Sequence, residues 1–109
     1  MGEIKKIISE IGDFIKDRDW EQFHRPKDTA IALSIEASEL MEVFLWKDES
    51  DADIEKIKEE LADVIIYSFD LARQYNLDVS MIILDKIRKN AEKYPVDKSK
   101  GKANKYTDL

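Results

Sequence analysis

Two stretches of this 109-residue chain repeat one another at an offset of 24 residues. Leu33, Ala37, Leu40 and Met41 correspond to Ile57, Leu61, Val64 and Ile65. Two acidic pairs, Glu36 with Glu39 and Glu60 with Asp63, fall on the same flank of both apolar stripes. The spacing is helical, and residues three apart on a helix return to one face, so each pair presents two carboxylates in one direction. A short connection requires the two helices to pack antiparallel. The local two-fold that relates them then brings all four acids to the same side, a coincidence that a shift of one residue in either helix would destroy.

Four convergent carboxylates repel unless a cation lies between them. Hard oxygen ligands favour Mg²⁺ or Mn²⁺, ions that hold and polarise phosphates. Glu36 and Glu60 lie beside the apolar stripe, where an unpaired carboxylate is costly to desolvate. Taken singly, either pair reads as ordinary surface charge. Glu42, Glu55 and Glu59, farther from the stripe, keep that reading.

The remaining pattern is helical almost throughout, with 3 Gly and 2 Pro as interruptions, and an all-α single domain over residues 1–109 follows. Its core is small, and oligomerisation would help it. The absence of cysteine excludes disulfides, thiolate zinc sites and cysteine nucleophiles. With no apolar run long enough for a bilayer and no signal-type opening, the expectation is a soluble, cytoplasmic protein with no membrane partner. A net charge of −6 argues against nucleic acid as a partner. From Glu36 to Asp63 eleven acids face Lys47, Lys56 and Lys58, whereas in the tail, residues 96–109, four lysines outweigh two aspartates. An acidic centre with a basic tail suits a metal with an anionic ligand; a solvated surface and a loose tail are the plainer reading.

A first helix is expected over Gly2–Asp17, with Ile4, Ile7, Ile8, Ile11, Phe14 and Ile15 as its apolar stripe. The segment Arg18–Lys27, with Trp20, Phe23, His24 and Pro26, is too aromatic for an exposed linker and should fold over something. Asp28 is read as the cap of a second helix, Thr29–Trp46, and Ser50 or Asp51 as the start of a third that runs to Tyr75. Asn76 stops it, and Asp78 caps a fourth, Val79–Lys93, closed by Pro95. Tyr67 lies one turn beyond Asp63. Lys86, Asn90 and Tyr94 align as a cation, an amide and a phenol on one strip of the fourth helix. Trp20 and Trp46 flank the second helix and can stack a base, although tryptophans more often anchor cores. His24, the one histidine, is assigned loop packing or ligand contact before catalysis.

The motifs Arg18-Asp19-Trp20-Glu21-Gln22-Phe23-His24, Ile35-Glu36-Ala37-Ser38-Glu39-Leu40, Phe44-Leu45-Trp46-Lys47, Glu59-Glu60-Leu61-Ala62-Asp63-Val64-Ile65-Ile66-Tyr67 and Lys105-Tyr106-Thr107 together resemble the all-α nucleoside triphosphate pyrophosphatases, in their compact MazG-like, dCTP-hydrolysing branch. The likeness covers nearly the whole chain in order. It implies a four-helix bundle, a homodimer or homotetramer, that hydrolyses a nucleoside triphosphate, dCTP or a related or modified nucleotide, to the monophosphate and pyrophosphate. By motif, Glu36, Glu39, Glu60 and Asp63 are the Mg²⁺ ligands, and Trp20, Trp46 and Tyr67 enclose base and sugar. Lys86, Asn90 and Tyr94 contact the phosphates or the nucleotide, within one subunit or across the interface between two. In the mechanism expected here, whichever of Glu36 and Glu39 is not fully committed to the metal takes the proton of the attacking water. The loop between the acidic pairs is shorter than in the animal dCTP enzymes, which leaves base selectivity open. The alternatives are a broad-specificity or dUTP-type hydrolase on the same metal site, or a non-enzymatic acidic helical interaction module.

Overall fold

In a computed structural model, residues 2–109 form five α-helices and three single 3₁₀ turns, with no strand among the described residues. Helix α1, Glu3–Asp17, ends where Trp20 N–H donates to the Ile15 carbonyl and Asp19 N–H to that of Lys16, each at 3.0 Å, with Asp19 at φ 55°. This left-handed stop reverses the chain. It sends Trp20 back against Phe14, their rings edge to face at 5.8 Å, and so the aromatic segment after α1 does fold over, as its composition suggests.

Helix α2 runs from Pro26 to Glu42, which corrects the expected Thr29–Trp46 at both ends. Pro26 occupies its first position, where a fixed φ and a missing N–H cost nothing, so Asp28 lies inside the first turn instead of capping it. Beyond Glu42 the chain breaks into turns that leave Trp46 at φ 62°, unusual for so bulky a residue. Helix α3, Ile54–Gln74, by contrast starts later than the expected Ser50 or Asp51. Asp48 and Ser50 engage each other in a 3₁₀ turn of their own, and Asp53 caps α3 by accepting from Glu55 N–H at 2.9 Å. Asn76, at φ 54°, ends α3 with a Leu77 N–H to Ala72 carbonyl bond of 2.9 Å. Asp78 caps α4, Val79–Lys93, through Met81 N–H at 3.0 Å, both as expected. Helix α4 ends before Pro95, as expected, and Pro95 then precedes a single-turn helix α5, Val96–Ser99.

The chain divides into two compact units, one up to Leu77 and one from Asp78. In the first, α2 and α3 pack along their lengths and α1 packs on α3. Gln74 Nε2 donates to Thr29 Oγ1 at 2.8 Å, joining the start of α2 to the end of α3, and Glu36 meets Glu60 and Asp63 nearer the middle of both. Residue numbers thus run in opposite directions, and the pair is antiparallel. Asp70, 1% exposed, accepts on Oδ1 from Arg73 Nε at 2.9 Å and Nη2 at 2.8 Å, and on Oδ2 from Gln74 Nε2 at 2.9 Å. Gly12 of α1 makes room for this pair, because a Cβ there would come within 3.2 Å of Arg73 Cδ. Asp70→Ala strands the half-buried guanidinium and should lower stability by about 3 kcal/mol, read as an earlier urea midpoint at unchanged slope.

Few apolar side chains are buried: Ile15 and Ala72 in the first unit, Val79 in the second. Ile31, Ile35, Leu61 and Ile65 on the repeated helices, and Ile82, Ile83, Leu84 and Ile87 on α4, remain exposed. Among the described residues, no helix is long and apolar enough to cross a membrane.

Candidate active site

Helix α2 carries Glu36 and Glu39, and helix α3 carries Glu60 and Asp63. The antiparallel packing brings Glu36, Glu60 and Asp63 together, each offering a carboxylate oxygen within 4.8 Å of the others. Glu39 stands against both Glu36 and Glu60 while remaining exposed. All four acids therefore converge, three tightly and one at the rim. Among the described residues, no basic side chain forms an ion pair with any of them.

The electrostatics show the strain of that convergence. Burial, and then the neighbouring carboxylates Glu39, Asp63 and Glu60, push Glu36 up to about 7. Glu60 is raised by the same causes, burial first and Glu39 next. Glu36 Oε2 and Glu60 Oε2 are both shut off from solvent and have no hydrogen-bond partner among the described residues. Orphaned buried carboxylate oxygens are costly, and a divalent cation taking oxygen ligands satisfies both at once. The donor set and the two orphaned atoms fit a divalent metal.

A cavity of about 460 Å³, within the range of small-molecule sites, opens beside Asp63. Its floor is apolar, from Ile7, Ile11 and Ile15 of α1 and Ile66 of α3. Its wall is aromatic. The rings of Trp20 and His24 lie nearly parallel at 5° and 6.1 Å, and those of His24 and Tyr67 at 8° and 6.3 Å. The Tyr67 hydroxyl is pushed above its usual range by burial and by the carboxylates around it, Glu36 before Asp63 and Asp70.

Of the other residues singled out in the sequence, Trp20 and Tyr67 line this cavity and Trp46 does not. Trp46 is 99% exposed on its left-handed turn, touching almost nothing within the chain. Lys86, Asn90 and Tyr94 belong to the second unit. Lys86 and Asn90 share a strip of α4, and Tyr94 sits just past its end, its N–H donating to the Asn90 carbonyl at 2.8 Å, its ring edge-on to Tyr106 at 6.1 Å. Sequence reasoning missed Asp70 and passed lightly over His24. The signal for Asp70 was present: Asp63, Tyr67 and Asp70 are spaced i, i+4, i+7 on one strip of α3.

The sequence profile of the MazG-like family matches residues 31–109. The chain is similar to dCTP pyrophosphatase 1 of Mus musculus, 39% identical over 98% of the chain, and to those of Bos taurus and Homo sapiens at 40% and 36%. It spans 66% of the length of these relatives. A pyrophosphatase from Archaeoglobus fulgidus has a similar structure, with a TM-score of 0.77 at 31% identity, covering 87% of this chain and 94% of its own.

Proposed function

Because the chain belongs to the MazG-like family, we propose that it hydrolyses a nucleoside triphosphate to the monophosphate and pyrophosphate with Mg²⁺ as its cofactor, Mn²⁺ serving as a substitute. The observation that carries this reading is the cluster of orphaned carboxylates opening onto an aromatic-walled cavity of nucleoside size. The relatives named dCTP pyrophosphatase support dCTP, or a related or modified nucleotide, as the substrate. On the same reading residues 1–109 act as one cytoplasmic domain, a four-helix bundle with a basic tail at 96–109.

Glu36, Glu60 and Asp63 hold the metal, with Glu39 at the rim. When bound, such an ion supplies positive charge to the phosphate oxygens and acidifies the attacking water. Glu39, the exposed member and the one outside the tight trio, is left to accept the proton as water attacks the α-phosphorus and pyrophosphate departs. Trp20 and Tyr67 hold the nucleoside in the cavity and keep bulk water from it. Lys86, Asn90 and Tyr94 contact the phosphates or the nucleotide of a neighbouring copy, across a subunit interface.

A panel of canonical and modified triphosphates with Mg²⁺, scored for pyrophosphate against orthophosphate, tests the reading. Pyrophosphate release with a preference for dCTP supports it, and orthophosphate release overturns it. On this reading Trp46, exposed and outside the cavity, meets the nucleotide of a neighbouring copy, so Trp46→Ala should leave thermal stability within about 0.5 kcal/mol of wild type, the effect of an exposed site, while weakening nucleotide binding; unchanged binding would remove Trp46 from the site.

The exposed apolar residues on α2, α3 and α4 support a homodimer or homotetramer, since monomers rarely leave such contiguous faces open. Ile87→Lys on α4 should shift the sedimenting species to a smaller oligomer at micromolar concentration. An unchanged oligomer would remove that face from the interface.

A further inference from the structure

Outside the carboxylate cluster, the first unit holds one other group of ionisable side chains on the cavity, centred on Asp70 and His24. Asp70 is fixed before any ligand arrives. Two Arg73 nitrogens bond its Oδ1 and Gln74 Nε2 bonds its Oδ2, and Gln74 is tied in turn to Thr29, itself 1% exposed. Oδ2 keeps one lone pair, and the group near it is His24 Nδ1, at 3.8 Å. That distance exceeds a hydrogen bond, and a shift of about 1 Å would close it to the length of a charge-assisted one.

The imidazole itself lies nearly parallel to two neighbouring rings, that of Trp20 at 6.1 Å and that of Tyr67 at 6.3 Å. A carboxylate is an acceptor only. The ring nitrogen that faces it must carry the proton, because two lone pairs directed at each other would repel. A neutral imidazole then has a bare Nε2, the reverse of the tautomer favoured by histidine free in water. Since His24 lines the cavity and Nδ1 is the nitrogen near Asp70, Nε2 is the ring nitrogen left for a ligand, and in the neutral ring it is an acceptor.

We infer that Asp70 is a positioning residue that fixes His24 as its Nδ1–H tautomer, and that His24 Nε2 thereby selects a nucleobase whose edge carries an amino donor over one that presents a carbonyl. This rests on the proposed nucleotide hydrolysis for its ligand, but the tautomer itself does not. A site built to accept a hydrogen bond discriminates strongly against a ligand that offers another acceptor, because both lone pairs are then left unpaired.

The chain has a single histidine, so imidazole nitrogen-15 shifts of the nucleotide-free protein report His24 without ambiguity. The expected signature is Nδ1–H in wild type and Nε2–H in Asp70→Asn, where an amide NH₂ replaces Oδ2 and donates to the ring. In turnover assays with Mg²⁺, Asp70→Asn should lower the preference for dCTP over dUTP by about tenfold. The loss should lie in KM for dCTP, with kcat within about twofold of wild type. If Asp70→Asn does not fold, His24→Phe keeps the ring and removes both nitrogens, and should show the same loss of preference. A wild-type Nε2–H tautomer overturns the inference, as does an undiminished dCTP preference in either folded variant. If the protein turned over no triphosphate, the proposed function would fail, while the nitrogen-15 result would still decide the positioning of His24.

Discussion

Asp63→Asn and Glu39→Gln are each expected to reduce turnover by about 10³-fold or more, the scale of losing one preorganised charge in an active site. Both should leave the helical circular dichroism unchanged. Neither residue is needed for the fold. Asp63 offers a carboxylate oxygen within 4.8 Å of those of Glu36 and Glu60, with no basic partner among the described residues, so neutralising it relieves repulsion that the packing otherwise tolerates. Metal-free Asp63→Asn should therefore melt at or above the wild-type temperature while losing activity, a combination that a residue serving only stability does not show. Turnover retained in both purified variants would remove these two acids from the chemistry.

The second large effect is on stability, and its direction follows from Glu36. Its carboxyl titrates near 7 in the folded chain against an ordinary value of 4.5. The folded state thus holds the proton more tightly than the unfolded state. The stability this confers is fully present below pH 4.5 and is lost as pH rises through about 7. Metal-free protein should accordingly melt lower at pH 8 than at pH 5. A divalent cation competes with that proton and should reverse the loss, most strongly at the higher pH. At about 100 times its Kd it adds about 2.7 kcal/mol, on the order of 10 °C for a domain of this size. Glu36→Gln should flatten both dependences. A melting temperature indifferent to Mg²⁺ at pH 8 would favour an acidic helical scaffold that binds no metal.

The convergence of the four acids was legible in the sequence because it depends only on helical period, a repeat at a fixed offset and a short connection. The end of α3 at Asn76 and the bounds of α4 were legible for a similar reason: a left-handed asparagine and an aspartate cap act within a few residues. The start of α2 was not, since Pro26 and Asp28 offer competing local signals and the fixed φ of proline prevails. The start of α3 was displaced because Asp48 and Ser50 satisfy each other first. Trp46 looked like a partner of Trp20 across α2, yet α2 ends at Glu42 and a left-handed turn carries the indole away into solvent. The Asp70 anchor was hidden more deeply. One of its supports, Thr29, lies 45 residues from Gln74, a contact that only the antiparallel packing creates.

Position of bond cleavage is the most direct test of the central reading. Purified protein incubated with dCTP and Mg²⁺ in oxygen-18 water should yield dCMP and pyrophosphate in equal amounts, with the heavy oxygen on the phosphate of dCMP. Heavy oxygen in orthophosphate alongside dCDP, or in pyrophosphate, would contradict attack at the α-phosphorus and with it the role assigned to the four carboxylates.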